Sequence, residues 1–299
     1  MNNLYDGDFV VCRPALQKDT EEVMELCSHI WEGGDYIPQV WEEWLADPEG
    51  LLGVAELRGQ VVGVFKLTKF QVQEWYMEGL RVHPDFQGKG IASHIHEYVL
   101  GTWRRMGSGI IRLTTGSYNV KVHRMCEETG FKRVAEFIPY RATSTLEGMS
   151  NFTGLNEEEA SKALEFVTGS PTHALSRGLI NLGWVYADPQ LKHIQEAIRE
   201  KHAWWWRDGV GFISIWEDEE DDEHQPGIEL MACSLNVLTD LLLDYRRLMG
   251  EIGYKSAGWV APNQPKVLSS LENAGFERSW DVSLYIYEMR SKYNESSFK

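Results

Sequence analysis

The sequence predicts a mixed α/β fold in which a mostly antiparallel sheet is flanked by helices. Three observations indicate this fold. Strand-like and helix-like spacings of apolar residues alternate along the chain, helical segments in both halves end at glycine, and apolar residues make up 43% of the 299 residues. That fraction is enough for buried cores, and a chain of this length favours two domains.

The first half predicts the element order β-α-α-β-β-β-α-β-α-β. Asp19 precedes apolar residues three and four positions apart, which is typical of a helix with an acidic start. The turn Arg58-Gly59-Gln60 separates two apolar runs, as in a hairpin. Gly107 ends a later amphipathic helix. The predicted strands are 9–16, 51–57, 61–70, 74–83, 110–115 and 131–141, and the predicted helices are 19–30, 38–45, 90–106 and 119–129.

The second half repeats the last part of this plan. A helix from Leu238 ends at a glycine, a strand follows, and an asparagine then precedes a Gly-Phe pair at 275–276. In the first half, Asn119 precedes the same pair at 130–131. We interpret this as a degenerate internal duplication. Chance similarity is the alternative, because asparagine and Gly-Phe are common.

The domain boundary is predicted in the polar stretch 143–156. One domain then covers 1–145 and the second covers 155–299. The second domain is the more acidic, and its acidic run 217–223 is interpreted as a solvated loop. The tryptophan triplet 204–206 is expected to pack in a strand between the two halves.

Charge and composition exclude several classes of function. A net charge of −16 argues against a nucleic-acid partner, which needs a basic face. No apolar run reaches the ~20 residues that a membrane helix needs, and residues 1–6 do not resemble a signal peptide. Four cysteines without a CxxC pair predict reduced thiols, no metal site and a cytoplasmic location.

The run from Leu80 to Ala92 is the most informative segment of the chain. It reads as the end of a strand, a turn with Gly88 and Gly90, and the start of a helix. The first N–H groups of a helix lack intrahelical partners, and the helix dipole adds positive charge there. Glycine lets the backbone approach a phosphate closely, so the segment predicts an anion site. The spacing fits neither a Walker loop nor a dinucleotide fingerprint.

This run is similar to a known family. Gln87-x-x-Gly90-x-Ala92 after Leu80-x-Val82-x-Pro84 resembles the acetyl-CoA pyrophosphate loop of the GNAT N-acetyltransferase superfamily. The predicted order of elements in the first half matches that fold, and the repeat implies a second, degenerate GNAT copy. In the second half, the strand 228–234 continues into a helix without such a loop, so acetyl-CoA is expected to bind the first half alone.

The resemblance implies which residues contact acetyl-CoA. A bulge in the strand around Leu80 would present backbone N–H groups to the pantetheine arm and the thioester carbonyl. Lys89 would add charge near phosphate or remain an exposed turn lysine. Asn119 would contact the pantetheine arm, cap its helix, or do both. The implied cofactor-binding residues are Leu80, Arg81, Val82, Gln87, Gly88, Lys89, Gly90, Ile91, Ala92 and Asn119.

Glu78 is the candidate catalytic base, because many GNAT enzymes carry a glutamate four residues before the position of Val82. Its alternatives are a substrate-binding carboxylate and a structural salt bridge. The position at which family members often carry a tyrosine acid is Cys126 here. A buried helical cysteine is usually a small apolar residue, so Tyr118, Tyr140 and water are the substitute acids.

A narrower resemblance concerns the acceptor. The segments 34–38, 44–48 and 78–82 look like a GNAT subgroup that includes histidine N-acetyltransferases. The first two helices line the acceptor pocket in GNAT folds, so the aromatic residues there could pack a flat substrate or simply pack the helices. They are Trp31, Tyr36, Trp41 and Trp44.

The sequence therefore predicts an N-acetyltransferase that uses acetyl-CoA and acts on the primary amine of a small molecule, such as the amino acid histidine. The alternatives are a non-catalytic acyl-CoA-binding sensor and an interaction protein whose acidic half binds a basic partner. The oligomeric state is not predicted.

Overall fold

The computed structural model of the chain describes residues 9–106, 109–220 and 223–291. The expectations for residues 1–6 and for Gly107 lie outside these ranges. The strands are β1 (Val10–Pro14), β2 (Leu51–Leu57), β3 (Gln60–Gln71), β4 (Glu74–Val82), β5 (Ile110–Gly116), β6 (Lys132–Thr143), β7 (Phe152–Gly154), β8 (Ile180–Asn181), β9 (Tyr186–Ala187), β10 (Ala203–Trp206), β11 (Gly211–Glu220), β12 (Glu223–Cys233), β13 (Ser256–Pro262), β14 (Glu277–Arg278) and β15 (Leu284–Arg290). The helices are α1 (Thr20–Ser28), α2 (Ile37–Ala46), α3 (Ile91–Met106), α4 (Val120–Thr129), α5 (Ala160–Thr168), α6 (Pro171–Leu175), α7 (Leu191–Arg199), α8 (Leu238–Glu251) and α9 (Pro265–Asn273).

The chain divides into two compact units that are not continuous in sequence. The first unit comprises Met1–Leu113, Glu127–Phe131 and Glu288–Lys299, and the second comprises Thr114–Cys126 and Lys132–Tyr287. The domains predicted at 1–145 and 155–299 are defined by a repeat in the sequence, whereas the compact units are defined by contacts between residues. The predicted division into domains therefore stays a prediction.

The first unit contains a mostly antiparallel sheet, as predicted. Strands β1 to β4 pair antiparallel in sequence order, and β4 pairs parallel with β5. The predicted hairpin between β2 and β3 is present, with Leu57 opposite Gln60. Its turn consists of Arg58 at φ 54° and Gly59 at φ 82°. Positive φ at both positions is typical of the tight turns that suit twisted strands.

Helices α1 and α2 bury their apolar faces against this sheet. Val23, Trp41 and Trp44 pack with Val54 and Val64 in one cluster, as the helical spacing of the sequence predicts.

The first unit also encloses a charged cluster. Arg112 is 3% exposed and forms ion pairs with Glu74 and Glu288, the latter with Nε 3.0 Å from Oε2. A buried arginine needs such partners, since an unpaired charge is costly in a protein interior.

The second unit repeats the same architecture with different details. Its strands pair in the order β6-β13-β12-β11-β10-β7, and β14 also pairs with β6. The contact between β12 and β13 is parallel, and α8 connects these two strands just as α3 connects β4 and β5. Helix α8 buries the apolar face predicted from Leu238 onwards.

Two predictions about the second unit are wrong. In the acidic run, residues 217–220 and 223 are strand residues and not a loop, because β11 and β12 pair from Trp216 opposite Gly227 to Glu220 opposite Glu223; residues 221–222 lie outside the described ranges. Backbone hydrogen bonds form this ladder regardless of side-chain charge. The tryptophan triplet does form a strand, but two of its N–H groups donate within the second unit: Trp205 to Glu159 at 2.9 Å and Trp206 to Asp244 at 2.7 Å.

Candidate active site

Strand β4 contains a bulge at the predicted place. Val64 lies opposite Arg81 and Lys66 lies opposite Glu78, so two residues of β4 face one residue of β3. One of these two residues is Gly79, which has φ +62°, and a Cβ there would lie 2.8 Å from the ring of Trp44. Only glycine fits this position without displacing the tryptophan. The bulge turns the strand between Glu78 and Arg81.

Strands β4 and β5 are parallel neighbours, but they are not paired at the bulge or beyond it. Strand β4 pairs with β5 only from Glu74 to Tyr76, opposite Ile110 to Arg112. The later part of β4, up to Val82, has no β5 partner in the described pairing. Backbone groups along this edge of β4 can therefore bind another molecule, which is what the predicted contacts at Leu80, Arg81 and Val82 require.

The segment between β4 and α3 forms an open cradle. A short 3-10 turn over Pro84–Phe86 follows the strand, and the Gln87 side chain donates to the carbonyl of Val82 at 3.2 Å. Gly88 has φ +76° and Gly90 has φ +82°, and a Cβ at either position would meet no atom within 4 Å. The backbone is thus exposed on the side where a side chain would otherwise lie.

Helix α3 begins directly at this cradle. Ile91 is 2% exposed and anchors the first turn in the core, while Ala92 is half-buried. The first N–H groups of a helix of 16 residues have no intrahelical acceptors, so they favour an anion. Lys89 is exposed, donates to the Asp85 carbonyl at 3.0 Å and lies over the Phe86 ring at 4.7 Å.

Glu78 lies next to the bulge, in the part of β4 that pairs with β3 but not with β5. Thr68 on β3 donates a hydrogen bond to its Oε1. Burial raises the pKa of Glu78, and the nearby carboxylates of Glu43 and Asp47 add to this; the Thr68 hydrogen bond and the Lys66 charge oppose it. A carboxyl group with a raised pKa is suited to exchange protons near neutral pH.

The predicted acceptor side of the first unit holds a second charged group. Arg81 donates to both carboxylate oxygens of Asp35, with Nε 3.0 Å from Oδ2 and Nη2 3.1 Å from Oδ1. Its guanidinium also lies 4.4 Å from the ring centre of Trp31 and 5.4 Å from that of Tyr36. The side chain of Arg81 is therefore committed to Asp35, so the predicted cofactor contact rests on its backbone.

Tyr36, which the sequence predicts to pack a flat substrate or the helices, is also a functional candidate through its hydroxyl group. Its ring contacts Trp44 edge-to-face with centres 6.0 Å apart. Burial raises the pKa of Tyr36 to about 12, and the charge of Glu78 adds to this. The hydroxyl is therefore protonated at neutral pH and lies within electrostatic reach of Glu78. No spacing in the sequence relates these two residues, which are 42 positions apart.

The remaining predicted residues belong to the second unit. Asn119 immediately precedes α4, and its carbonyl accepts from the N–H of Val122 at 3.0 Å. Cys126 on α4 is 0% exposed, as expected for a packing residue. Tyr118 is 67% exposed and Tyr140 is 9% exposed. Their roles stay predictions.

The connection between β12 and α8 differs from that between β4 and α3. It spans only 234–237, and Ser234 donates to the side chain of Asn236 at 2.6 Å. Neither of the glycines with positive φ that open the first cradle has a counterpart here. The second unit therefore has no pyrophosphate cradle at this position.

No helix among the described residues is long and apolar enough to cross a membrane. Within the same ranges, no three histidine, cysteine, aspartate or glutamate side chains are grouped to hold a metal ion.

The comparisons with known proteins agree with this geometry. Residues 18–131 match the model of the acetyltransferase (GNAT) family. This segment of the chain is therefore similar to a GNAT domain. A tandem GNAT protein from the clavulanic acid biosynthesis pathway has the same fold, with a TM-score of 0.58 and 13% identity over 95% of this chain and 98% of that one. The GNAT fold predicted from the sequence is confirmed.

Curated relatives match a smaller part of the chain. A probable N-acetyltransferase 16 from Homo sapiens is 30% identical over 149 residues, which is 48% of this chain and 38% of that protein. A histidine N-acetyltransferase from Xenopus tropicalis is 28% identical over 96 residues, 32% of this chain and 29% of that protein. The matches thus span less than two-fifths of these relatives, and the residues that match the GNAT family model lie in the half that contains the cradle.

Proposed function

We propose that this protein transfers the acetyl group of acetyl-CoA to the primary amine of a small molecule, with an amino acid such as histidine as the first candidate. One observation carries the proposal: in a GNAT-like segment, the carboxyl group of Glu78 lies next to the bulge of β4, and the open cradle follows directly after that strand. Acid-base chemistry and anion binding are thereby combined in one unit.

The residues present fit acetyl-CoA. A Cβ at Gly88 or Gly90 would project into free space over the start of α3, and a diphosphate would accept hydrogen bonds from the first N–H groups of that helix. The unpaired edge of β4 up to Val82 can donate to the amide groups of an extended arm. When bound, acetyl-CoA supplies an activated acetyl group as a thioester.

Glu78 would serve as the base that keeps the acceptor amine neutral. Its pKa is raised mainly by burial, so the carboxylate can accept a proton from an ammonium ion at less cost than a solvated glutamate. The Thr68 hydrogen bond holds one of its oxygens, which fixes the direction in which the other can act. A well-placed base contributes about 10²–10⁴-fold to turnover.

The acceptor amine affects how strong this base must be. At pH 7 a lysine side chain is neutral in only about one molecule in 2,500, whereas an α-amine is neutral in about one in seven. An amino acid that reacts through its α-amine therefore suits a single glutamate. The aromatic faces of Trp31 and Tyr36 beside Arg81 can pack a flat side chain. The name of the Xenopus tropicalis relative supports histidine as the first acceptor to test.

The test is the release of free CoA from acetyl-CoA with a panel of acceptors that includes L-histidine, other amino acids and diamines. Turnover is expected with at least one α-amine, and Glu78→Gln should lower it about 10²–10⁴-fold with CoA affinity unchanged. Glu97→Gln is the matched control, because Glu97 is exposed on α3.

The pH profile adds a second readout. Since the carboxylate form of Glu78 is needed, turnover should fall below its pKa, which lies above the usual glutamate range. The Gln variant should lose this acid limb. Binding of CoA without turnover on any acceptor would instead support the sensor alternative. Turnover of Glu78→Gln within about threefold of wild type would place the base elsewhere.

A further inference from the structure

A buried lysine lies directly opposite the candidate base. Lys66 on β3 pairs with Glu78 on β4 in the strand register. The two side chains are therefore on the same face of the sheet, with Cβ atoms about 4.5–5.5 Å apart. Lys66 is 1% exposed. A buried ammonium ion needs an anionic partner, and the register alone would offer Glu78.

The partner of Lys66 is nevertheless Asp47. The ammonium group of Lys66 donates to Oδ2 of Asp47. Glu78 instead accepts a hydrogen bond from the hydroxyl of Thr68, and among the described residues no salt bridge joins Glu78 to a cation. Of the two carboxyl groups near Lys66, Asp47 is thus the one that binds its ammonium group.

The turn between α2 and β2 prepares Asp47 for this contact. The N–H groups of Glu49 and Gly50 donate to Oδ1 of Asp47 at 2.9 and 3.1 Å, which leaves Oδ2 for the lysine. Gly50 packs against the ion pair, because a Cβ there would lie 2.6 Å from Nζ of Lys66. Burial alone would raise the pKa of Asp47, but the hydrogen bonds that it accepts outweigh burial and lower the pKa. Asp47 is therefore ionised at neutral pH.

We propose that Asp47 is a positioning residue for acetyl transfer: it holds the ammonium group of Lys66, so that the carboxyl group of Glu78 stays out of a salt bridge and can take a proton from the acceptor amine. In that step an N–H bond of the acceptor ammonium breaks and an O–H bond forms on Glu78. The inference rests on the proposed function, in which Glu78 is the base. Asp47 and Lys66 act only through Glu78.

The strength of the base depends on which carboxyl group Lys66 binds. A cation within about 4–6 Å lowers the pKa of a carboxyl group by about 1–3 units, and the weaker base then takes a proton at greater cost. In the ion pair with Asp47, the two opposite charges nearly cancel at the position of Glu78. Burial therefore remains the largest effect on the pKa of Glu78, and it raises that pKa.

Two further titratable groups act on Glu78 from the region of α2. Glu43 on α2 is exposed, and its charge adds to the raised pKa of Glu78. Tyr36 precedes α2, and burial raises its own pKa to about 12. Neither residue is changed in the variants below, so a shift in the titration of Glu78 reports on Lys66 and Asp47.

The test measures the titration of Glu78 itself and needs no turnover. The full chain is labelled with ¹³C in its glutamate side chains, and the carboxyl resonance that is missing in Glu78→Gln is followed against pH. Asp47→Asn should lower the pKa of Glu78 by about one unit or more, because Lys66 then pairs with it. Lys66→Met should raise the pKa by about one unit or more, because the charge of Asp47 is then uncompensated.

A neighbouring ion pair provides the matched controls. Lys69 on β3 and Glu49 in the same turn lie with Nζ 2.7 Å from Oε1, but the Glu49 side chain is 63% exposed. Lys69→Met and Glu49→Gln should each shift the pKa of Glu78 by less than about 0.3 unit, since water screens exposed ion pairs.

The double variant Asp47→Asn/Lys66→Met carries neither charge and should titrate within about half a unit of wild type. It also replaces a single variant that fails to fold, because it differs from the other single variant by one charge. Removing Asp47 from Lys66→Met should lower the pKa of Glu78, and removing Lys66 from Asp47→Asn should raise it.

The direction of the shifts separates positioning from a structural role. A purely structural ion pair would lose stability to urea in both single variants and leave the titration of Glu78 unchanged. The proposal is overturned if the two variants shift the pKa of Glu78 in the same direction, or if either shift stays below about 0.3 unit. The acid limb of turnover should move with the titration in each variant. Shifts of the expected sign without movement of that limb would support the role of Asp47 in holding Lys66 and overturn the proposed role of Glu78 as the base.

Discussion

The cradle between β4 and α3 can be tested by a pair of matched glycine substitutions. Gly90 and Gly59 both have φ +82°, and a Cβ at either would meet no atom within 4 Å. Gly59 lies in the hairpin turn between β2 and β3, away from the cradle in sequence. Substituting each by glutamate therefore introduces the same backbone strain and the same charge, and only Gly90→Glu places that charge in the proposed pyrophosphate site.

The expected magnitudes follow from this geometry. A non-glycine residue in the left-handed region costs about 1–2 kcal/mol, so both variants should lose that much free energy of unfolding. Two like charges about 5 Å apart at an effective dielectric constant of about 20 repel by about 3 kcal/mol. This corresponds to a loss of at least about 100-fold in CoA affinity for Gly90→Glu, and to no loss for Gly59→Glu.

The assays are urea denaturation for stability and titration calorimetry for CoA binding. Wild type should bind one CoA per chain, since the connection at 234–237 in the second unit has no cradle. The reasoning is refuted if Gly90→Glu binds CoA like wild type, if Gly59→Glu weakens binding equally, or if two CoA molecules bind per chain.

Three further predictions concern individual side chains. Cys126→Ala should cost less than about tenfold in turnover, because Cys126 is fully buried on α4; a loss near 10²-fold with CoA binding intact would make it the general acid. Arg112→Met should cost about 3–5 kcal/mol of unfolding free energy, since the buried carboxylates of Glu74 and Glu288 lose the buried cation between them; a loss below about 1 kcal/mol in urea denaturation would contradict this. The hydrogen bonds from Arg13 lower the pKa of Asp19 in the folded chain, and burial opposes them. Asp19 therefore stabilises the fold at pH values above the pKa of an unfolded aspartate, about 3.9. This stabilisation is lost as the pH falls through the lower pKa of the folded state. Asp19→Asn should flatten the acid side of the stability profile, and an unchanged profile would show that the pair contributes nothing there.

The site in the first unit could be predicted from the sequence to the extent that it is local. The bulge near Leu80, the glycine turn and the start of α3 follow each other along the chain, and short-range backbone preferences determine such segments. The hairpin at Arg58 and Gly59 could be predicted for the same reason. Glu78 could be named as a candidate because it lies four residues from Val82 in this same stretch.

The contacts that only the tertiary structure determined join residues that are far apart in the chain. The pairing of Asp35 with Arg81 and the proximity of Tyr36 to Glu78 depend on how α2 and β4 pack. Strand pairing likewise includes residues 217–220 of β11, in a segment expected to be a loop, because the hydrogen bonds between strands are made by the backbone.

The division into compact units was decided in the same way. Helix α4 and strand β15 each contribute residues to both units, although the sequence suggests a single boundary between two repeats. A repeat is a property of the order of residues, whereas a compact unit is defined by which distant segments bury apolar surface together. A cavity lined by residues of α7, β11 and β12 has the same origin, since these three elements meet only in the folded chain.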